Sequence, residues 1–481
     1  MDIFPFAKIP AKQVAKMKQS PEKSTPQLLF DKGTLLLRHL DAAMAENLPE
    51  VRWDGRVRSF RAPAFRYREI VLALRNNKLD YRDDARNFAP VALPLREKIV
   101  PRPHQTEAFA AWVNAGSNGV VTLPTGAGKT ILAVMLIERT ARPALIHVPT
   151  IDLMHQWYAV LKRYFDTDIG LLGGGYNEPG TLTVATYDSA LLHVESKGNR
   201  FGLLIFDECH HLPGEQYQYC AISSLAPFRL GLTATPERTD GRESRLFQIC
   251  GDICYRANIR DLEGETLAPY DVETLELDLT PEEQEAYQSA RQQYLDFLKQ
   301  ENINMGSARG WNYFLWRTSL SPAGRAAFKA YLAQKQLSLA ASAKLAAIWD
   351  LLQRHRGDRI IIFTQDNEMA YNIGKRFLLP VLTHHTKLKE REAFLNAFRN
   401  GEYPVLVTSK VLNEGVDVPE ANVGIVVSGS GSVREHVQRL GRLLRAQPGK
   451  RAMLYELIAK GTGEHFTNKR RRQHHAYRKP K

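Results

Sequence analysis

The sequence is poor in cysteine and contains no long apolar run. Four cysteines occur among 481 residues, and none forms a C-x-x-C pair. So few cysteines provide no disulfide framework, and their spacing weighs against a zinc site. No stretch approaches the ~20 apolar residues of a membrane span, and the opening residues lack the apolar core of a secretory signal. The sequence therefore predicts a cytoplasmic protein with reduced thiols and no membrane association.

Acidic residues are fewer than basic ones. The chain has 52 Asp and Glu against 65 Lys and Arg, which gives a formal net charge of +13. This excess favours a polyanionic partner, and nucleic acid fits better than a membrane because no basic amphipathic helix stands out. Charge alone does not decide the matter, since many basic proteins have no such partner. The length is sufficient for about three domains.

The most informative stretch is Leu123-Pro-Thr-Gly-Ala-Gly-Lys-Thr130. It follows a short apolar run and precedes an amphipathic one, which is the order strand, glycine turn, helix. Glycine lets the backbone curl around a polyphosphate, and the new helix directs its unpaired N–H groups at the anion. Lys129 would neutralise the β- and γ-phosphates, and the Thr130 hydroxyl would complete the shell of Mg²⁺. Pro124 occupies the position of the first glycine in the general pattern.

A carboxylate pair follows a second buried strand. Phe201–Phe206 is apolar and ends in Asp207-Glu208, at the strand end where open α/β sheets bind ligands. Asp207 would hold the Mg²⁺ shell, and Glu208 would orient and deprotonate the attacking water. Upstream of the glycine turn, Gln105 is placed to read the adenine edge, since its amide both donates and accepts hydrogen bonds. His210, beside the carboxylates, is predicted to relay nucleotide state rather than bind zinc.

A second α/β series begins near residue 359 and lacks a phosphate-binding loop. It cannot hold ATP alone. Its helix 434–444 contains Gln438 and Arg442, with Arg445 just beyond, and arginines three apart share one helical face. They could reach a γ-phosphate held by the first series, an arginine-finger arrangement worth ~10³ or more in rate. The alternative is a surface helix of salt bridges.

Two stretches combine aromatic and basic residues, and each allows two interpretations. Between Arg52 and Arg68, arginines alternate with aromatics in a pattern that suits phosphate contacts and base stacking, or the core and solvated surface of a small α/β domain. Trp311, Tyr313, Phe314 and Trp316 lie in a mostly helical insertion. They either stack on bases or form the core of a helical hairpin.

Taken together, the motifs resemble those of superfamily 2 helicases, and in particular the prokaryotic form of the xeroderma pigmentosum group B (XPB) helicases. The resemblance covers about residues 27 to 465. The segments that carry it are Arg102-x-x-Gln105, Thr125-Gly-x-Gly-Lys-Thr130, Asp207-Glu-Cys-His-His-Leu-Pro213, Leu230-Gly-Leu-Thr-Ala-Thr-Pro-Glu-Arg238, Asn413-Glu-Gly-x-Asp417, Ser428-Gly-Ser-Gly-Ser432 and Gln438-x-x-Gly-Arg-x-x-Arg445.

The resemblance implies an α/β fold of two RecA-like parallel-sheet domains in tandem, with a small N-terminal α/β domain and a helical thumb-like insertion. The implied domains are 1–95, which is damage-recognition-like and binds DNA; 96–270, which binds ATP; the insertion 271–345; the second RecA-like domain 346–465; and a basic tail 466–481. The implied catalytic residues are Lys129, Asp207, Glu208, Gln438, Arg442 and Arg445. The implied nucleotide-binding residues are Arg102, Gln105, Thr125, Gly126, Gly128, Lys129, Thr130, Asp207, Gly415 and Asp417, with Thr130 and Asp207 holding Mg²⁺ through ATP.

The implied activity is ATP-dependent 3′→5′ DNA unwinding or opening, in nucleotide excision repair or transcription. The expected partners are single-stranded, forked or distorted duplex DNA and a nuclease. Family members often carry Arg-Glu-Asp after the Thr-Ala-Thr motif, a feature linked to strand separation, whereas this chain has Arg238-Thr239-Asp240. Two alternatives therefore stay open: a duplex-DNA translocase that does not separate strands, and a nucleotide-controlled DNA-binding scaffold that recruits a nuclease.

Overall fold

A computed structural model describes residues 25–237, 240–307, 309–409, 421–428 and 451–465. The chain divides into two compact units, Met1–Ala257 and Asn258–Lys481. The first unit holds a small N-terminal domain and a large sheet domain. The second holds a helical insertion and another sheet domain.

The N-terminal domain is built around an antiparallel hairpin. Its described residues form a five-stranded sheet in the order β3-β4-β2-β1-β5. Its elements are β1 (Gln27–Asp31), β2 (Thr34–Arg38), α1 (Ala42–Ala45), β3 (Arg52–Asp54), β4 (Ser59–Pro63), α2 (Tyr67–Asn76) and β5 (Arg82–Asp83). Lys32 and Gly33 both have positive φ, the conformation that a tight hairpin turn requires. β1 and β2 pair antiparallel along their whole length and so form the hairpin.

The sheet domain of the first unit alternates strands and helices. Its described residues form an eight-stranded sheet in the order β13-β6-β12-β11-β7-β10-β8-β9, in which β9 pairs antiparallel and the other pairs are parallel. Its elements are α3 (Pro103–Asn114), β6 (Asn118–Thr122), α4 (Lys129–Thr140), β7 (Ala144–Val148), α5 (Ile151–Tyr164), β8 (Ile169–Gly173), β9 (Tyr176–Glu178), β10 (Leu182–Thr186), α6 (Tyr187–Lys197), β11 (Leu203–Asp207), α7 (Tyr219–Ile222), β12 (Phe228–Thr233), α8 (Glu243–Cys250) and β13 (Ile253–Arg256).

The strand order of this sheet determines where the site forms. β6, β12 and β11 are neighbours, so their carboxyl ends meet at one edge of the sheet. The chain leaves β6 into the glycine turn, leaves β11 into the carboxylate pair and leaves β12 into Thr233-Ala-Thr235. The Leu123 N–H also donates to the Thr233 carbonyl over 3.0 Å, which joins two of these exits directly. Such an edge of a parallel sheet is where ligands bind.

The second unit carries a parallel sheet, and a run of helices follows the first strand of that sheet in the chain. Its described residues form a six-stranded sheet in the order β14-β19-β18-β15-β17-β16. Its elements are β14 (Tyr270–Leu277), α9 (Pro281–Gln300), α10 (Gly310–Leu320), α11 (Pro322–Leu339), α12 (Ser342–Arg354), β15 (Ile360–Phe363), α13 (Asn367–Phe377), β16 (Val381–Leu382), α14 (Leu388–Asn400), β17 (Val405–Thr408), β18 (Val423–Val426) and β19 (Ala452–Ala459).

The helical insertion starts with a reciprocal cap. The Glu283 N–H donates to the Thr280 hydroxyl over 3.1 Å, and the Thr280 N–H donates to the Glu283 carboxylate over 3.0 Å, so the two residues form a capping box. Helices α9, α10 and α11 then share a small apolar core centred on Phe297, Phe314 and Ala327. The fold class predicted from the sequence is thus confirmed, whereas the exact domain boundaries remain predictions.

A buried ion pair fastens α12 to the second sheet. Lys344 is fully buried, and its ammonium donates to both oxygens of Glu464 over 2.9 and 2.8 Å. The same ammonium donates to the Val427 carbonyl just after β18, over 2.8 Å. Glu464 also accepts the Ala459 N–H at the end of β19. One lysine therefore joins a helix to the ends of two strands.

Candidate active site

The phosphate-binding loop has the backbone that its glycines allow. Gly126 and Gly128 adopt φ of +86° and +83°, in the left-handed region that residues with side chains rarely occupy. A Cβ atom at Gly128 would lie 2.4 Å from the Gln105 side-chain nitrogen. The loop therefore requires glycine at this position for space as well as for conformation. Helix α4 begins directly after it, at Lys129.

Two side chains of the loop are suited to an anion. The Lys129 ammonium donates to the Leu123 carbonyl over 3.0 Å and to the Pro124 carbonyl over 3.4 Å, so it lies across the loop. The Thr125 hydroxyl is buried and has no hydrogen-bond partner among the described residues. A buried hydroxyl without a partner costs about 1–3 kcal/mol. A phosphate oxygen at the loop would give it one, so these residues fit a bound polyphosphate.

Helix α3 is attached to the back of the loop. The Arg102 N–H donates to the Gln105 side-chain oxygen over 2.9 Å, and the Gln105 side-chain nitrogen donates to the Gly128 carbonyl over 3.0 Å. His104 Nε2 lies 2.8 Å from the Ala127 carbonyl. Both ends of the Gln105 amide thus contact the protein backbone. The sequence predicted an adenine contact for Gln105 and gave no sign that His104 holds the loop. The two residues are adjacent, and both are buried in the structure.

The Asp207 carboxylate is held at the end of β11 by donors from several elements. Trp157 Nε1 donates to Oδ2 over 2.8 Å, and the Glu208 N–H donates to Oδ1 over 3.0 Å. The Tyr187 hydroxyl donates to the Asp207 backbone carbonyl over 3.0 Å. Burial raises the pKa of Asp207, while the Trp157 N–H and the charge of Lys129 act in the opposite direction. Trp157 was not identified from the sequence, because its spacing in α5 is that of a core residue.

Glu208 is linked to the neighbouring strand end through a histidine. Its backbone is left-handed, with φ of +47°, which turns the chain sharply after β11. His210 Nδ1 lies 3.4 Å from the Glu208 carboxylate and 3.2 Å from the Thr233 hydroxyl. Thr233 in turn donates to the Thr235 carbonyl over 3.1 Å. This chain of contacts agrees with the relay assigned to His210, and the relay itself stays a prediction.

Part of the predicted site lies outside the described residues. This applies to the residues of the second sheet domain, namely Gly415, Asp417, Gln438, Arg442 and Arg445, with the flanking Asn413 and Glu414. It applies also to residues 1–24, to Arg238 and Thr239 of the triplet Arg238-Thr239-Asp240, and to the basic tail 466–481. The structure therefore brings together Arg102, Gln105, Thr125, Gly126, Gly128, Lys129, Thr130, Asp207 and Glu208, and the finger arrangement stays a prediction.

Most arginines of the N-terminal aromatic stretch have structural partners. Arg61 is buried and paired with Asp54 and Asp31, at 3.0 and 2.8 Å. Arg66 pairs with Glu50 and Glu69. The Arg68 guanidinium donates to the Gly116 and Pro227 carbonyls, over 2.8 and 3.1 Å, and so attaches this domain to the sheet domain.

The aromatics of the same stretch are also mainly structural. Phe60 and Tyr67 are buried in the domain core. Phe65 packs against the core of the sheet domain. These contacts favour the interpretation of a small α/β domain whose aromatics form its core.

The insertion divides its aromatics differently. Phe314 is fully buried, whereas Trp311, Tyr313 and Trp316 are exposed. Phe314 therefore belongs to the helical core and is excluded from base stacking. For the other three residues both interpretations stay open.

Other site types find no support in the part of the chain that the structure describes. There, no group of three or more His, Cys, Asp or Glu side chains is arranged to hold a metal ion, and no helix is long and apolar enough to cross a membrane. All four cysteines are free thiols, and three of them are buried. Burial raises the pKa of Cys220 to about 12 and of Cys250 to about 12, so these thiols stay protonated near neutral pH.

Three family descriptions match the chain, each over a different region. Residues 28–85 match "Xeroderma pigmentosum group B helicase damage recognition domain", residues 98–238 match "Type III restriction enzyme, res subunit", and residues 343–447 match "Helicase conserved C-terminal domain". These three regions follow the same order as the N-terminal domain, the first sheet domain and the second sheet domain.

Curated relatives extend the match to most of the chain. The "DNA 3'-5' translocase XPB2" of Sulfurisphaera tokodaii is 38% identical over 88% of this chain and 96% of its own length. The "DNA 3'-5' helicase XPB" of Kineococcus radiotolerans is 33% identical over 75% of this chain and 60% of its own. Among solved structures, the Pyrococcus furiosus Hef helicase domain superposes with a TM-score of 0.53 at 20% identity, over 76% of this chain and 97% of that one, which supports the fold.

Proposed function

The chain belongs to the XPB family of superfamily 2 DNA helicases, and we propose that it binds ATP at the loop 123–130 and couples hydrolysis there to 3′→5′ movement on DNA. The family assignment makes it an ATP-hydrolysing DNA helicase or translocase. The observation that carries the proposed site is the meeting of three strand ends. Beside them lie Lys129, the Asp207-Glu208 pair and Thr233.

The residues of the first sheet domain divide the catalytic work. The N–H groups at the start of α4 and the Lys129 ammonium would bind the phosphates. Thr130 and Asp207 would hold Mg²⁺, which when bound offsets the charge that develops on the phosphates. Glu208 would orient the attacking water and take its proton on a carboxylate oxygen, with His210 close to that oxygen. Arg442 and Arg445 are proposed to arrive from the second sheet domain.

Translocation without strand separation is the second candidate, and the sequence gives a specific reason for it. The triplet Arg238-Thr239-Asp240 lacks the glutamate of the Arg-Glu-Asp that family members often carry and that is linked to strand separation. Its loss bears on unwinding and leaves the carboxylate pair and the phosphate loop intact. Distorted DNA as the preferred substrate, a nuclease partner, a cytoplasmic location and a role in repair or transcription also remain proposals.

One pair of DNA substrates tests the function and separates the two candidates. Full-length protein is given ATP with a forked duplex carrying a 3′ tail, and separately with a duplex bearing a third-strand oligonucleotide. A helicase releases the fork strand, whereas a translocase releases only the third strand. Glu208→Gln, which keeps the fold and the loop but lacks the base, is the control and should release neither. If wild-type protein releases neither strand, the proposal is refuted.

A further inference from the structure

A fully packed tryptophan contacts the carboxylate of the proposed Mg²⁺ site. Helix α5 buries Met154, Trp157 and Leu161, a spacing of three and then four residues that places them on one face. Trp157 is 2% exposed, and its ring N–H donates to Asp207 Oδ2 over 2.8 Å. The hydrogen bond thus connects a core position of a helix with a functional side chain on β11.

The other contacts of Asp207 give this hydrogen bond a definite effect. Oδ1 accepts the Glu208 N–H over 3.0 Å, which alone would leave the carboxylate free to turn about that contact. The Trp157 donor at Oδ2 fixes the second oxygen, and with it the plane of the carboxylate. We propose that Trp157 is a positioning residue for the Mg²⁺–nucleotide site, holding Asp207 in the orientation in which it receives the metal. This inference rests on the proposed function.

A tryptophan suits this task for physical reasons. Its indole has one N–H donor and no acceptor, so it can only donate to the carboxylate. It is uncharged, so it orients the carboxylate without neutralising it or competing with the metal. Its large ring is held by the core of the sheet domain, which keeps the donor in place. Partners that orient metal-binding carboxylates typically contribute ~10- to 100-fold in metal affinity or activity.

The chain provides a matched control in Trp112. This residue is also fully buried, and its Nε1 donates to the Arg229 backbone carbonyl over 3.0 Å. That carbonyl lies near the amino end of β12, away from the carboxyl ends of the strands where the site forms. Trp112→Phe and Trp157→Phe therefore remove the same chemical group, at a similar hydrogen-bond length, from equally buried positions. A difference between the two variants reports on Asp207 rather than on the loss of a buried indole.

The experiment measures nucleotide affinity directly. Full-length wild-type protein, Trp157→Phe and Trp112→Phe are titrated with a fluorescent ADP analogue, once with Mg²⁺ and once with EDTA, at a temperature where thermal melts show all three to be folded. The quantity of interest is the gain in affinity that Mg²⁺ gives. We expect Trp157→Phe to reduce that gain ~10-fold while its affinity in EDTA is unchanged, and Trp112→Phe to keep the wild-type gain.

Two results would overturn the inference. One is an equal Mg²⁺ gain in the two variants. The other is a loss in Trp157→Phe that is as large in EDTA as with Mg²⁺, which would indicate general damage to the loop. As a rescue, Trp157→His can keep a ring N–H and is expected to recover part of the gain if the donor is what matters; a histidine variant no better than phenylalanine counts against the donor role. If wild-type protein itself binds no nucleotide, the proposed function fails rather than this inference.

Discussion

Gln105→Glu is a nearly isosteric change that tests how the phosphate-binding loop is held. In the structure, the Gln105 oxygen accepts the Arg102 N–H and its nitrogen donates to the Gly128 carbonyl over 3.0 Å. Glutamate preserves the acceptor at Arg102. It places an oxygen against the Gly128 carbonyl, where a donor was. The side chain is buried, so water does not screen the repulsion.

The contact geometry sets the size of the effect. A protonated glutamate would restore the donor, and protonating a carboxyl of pKa about 4.3 at pH 7 costs about 3.7 kcal/mol, which is the upper bound. The lost hydrogen bond alone gives a lower bound of about 1 kcal/mol. The Gly128 carbonyl keeps the Leu132 N–H as a donor, so its burial is partly satisfied. We therefore expect nucleotide binding to weaken roughly 10- to 300-fold at pH 7, that is by about 1.5–3.5 kcal/mol.

Comparing two nucleotides identifies the cause of the loss. If Gln105 acts by holding the loop, a titration with fluorescent analogues should show ATP and GTP weakened by the same factor. If it acts by reading adenine, ATP alone should weaken. Gln288→Glu, at an exposed position of α9, is the control for the added charge and should change neither affinity. A loss confined to ATP, or no loss at all, would refute the loop-holding role.

Two further predictions concern stability. Lys344→Met should lower the free energy of unfolding of the second unit by about 3–5 kcal/mol in urea titrations, because it leaves the buried Glu464 without its cation. Adding Glu464→Gln should recover part of that loss. Strictly additive losses in the double variant would count against the pair. Burial lowers the pKa of His147 to about 3. Below about pH 6.5 this imidazole therefore binds a proton in the unfolded chain but stays neutral in the folded protein. Stability should therefore fall by about 2 kcal/mol between pH 7 and pH 5 from this group alone, and His147→Gln should remove that part of the pH dependence; an unchanged slope would contradict it.

The parts of the site that could be predicted from the sequence are those encoded by neighbouring residues. The glycines of the loop and the strand that ends in Asp207-Glu208 are local patterns, each with one plausible chemistry. The capping box of Thr280 and Glu283 is equally local, because its two residues lie three positions apart in the sequence. The +13 charge pointed toward nucleic acid, but it did not say which arginines contact the partner.

The parts that could not be predicted depend on contacts between distant residues. Trp157 has the spacing of an ordinary core residue, and its role appears only because its ring N–H reaches Asp207 at the end of β11, 50 residues further along the chain. For Arg68 the sequence left open a phosphate contact or a solvated surface position, yet its guanidinium reaches carbonyls at Gly116 and Pro227. Gln105 was assigned to adenine because nothing local shows that the Gly128 carbonyl lies within reach. In each case the sequence gives the chemical group, and the packing selects its partner.

The most direct test of the whole account is ATP hydrolysis by full-length protein with and without DNA, measured beside a DNA-binding titration for wild type and Lys129→Ala. The account predicts that single-stranded or forked DNA stimulates hydrolysis by the wild type. It predicts that Lys129→Ala abolishes hydrolysis and keeps most of the DNA affinity, because Lys129 lies across the phosphate-binding loop. Turnover that persists in Lys129→Ala, or wild-type hydrolysis that is indifferent to DNA, would contradict it.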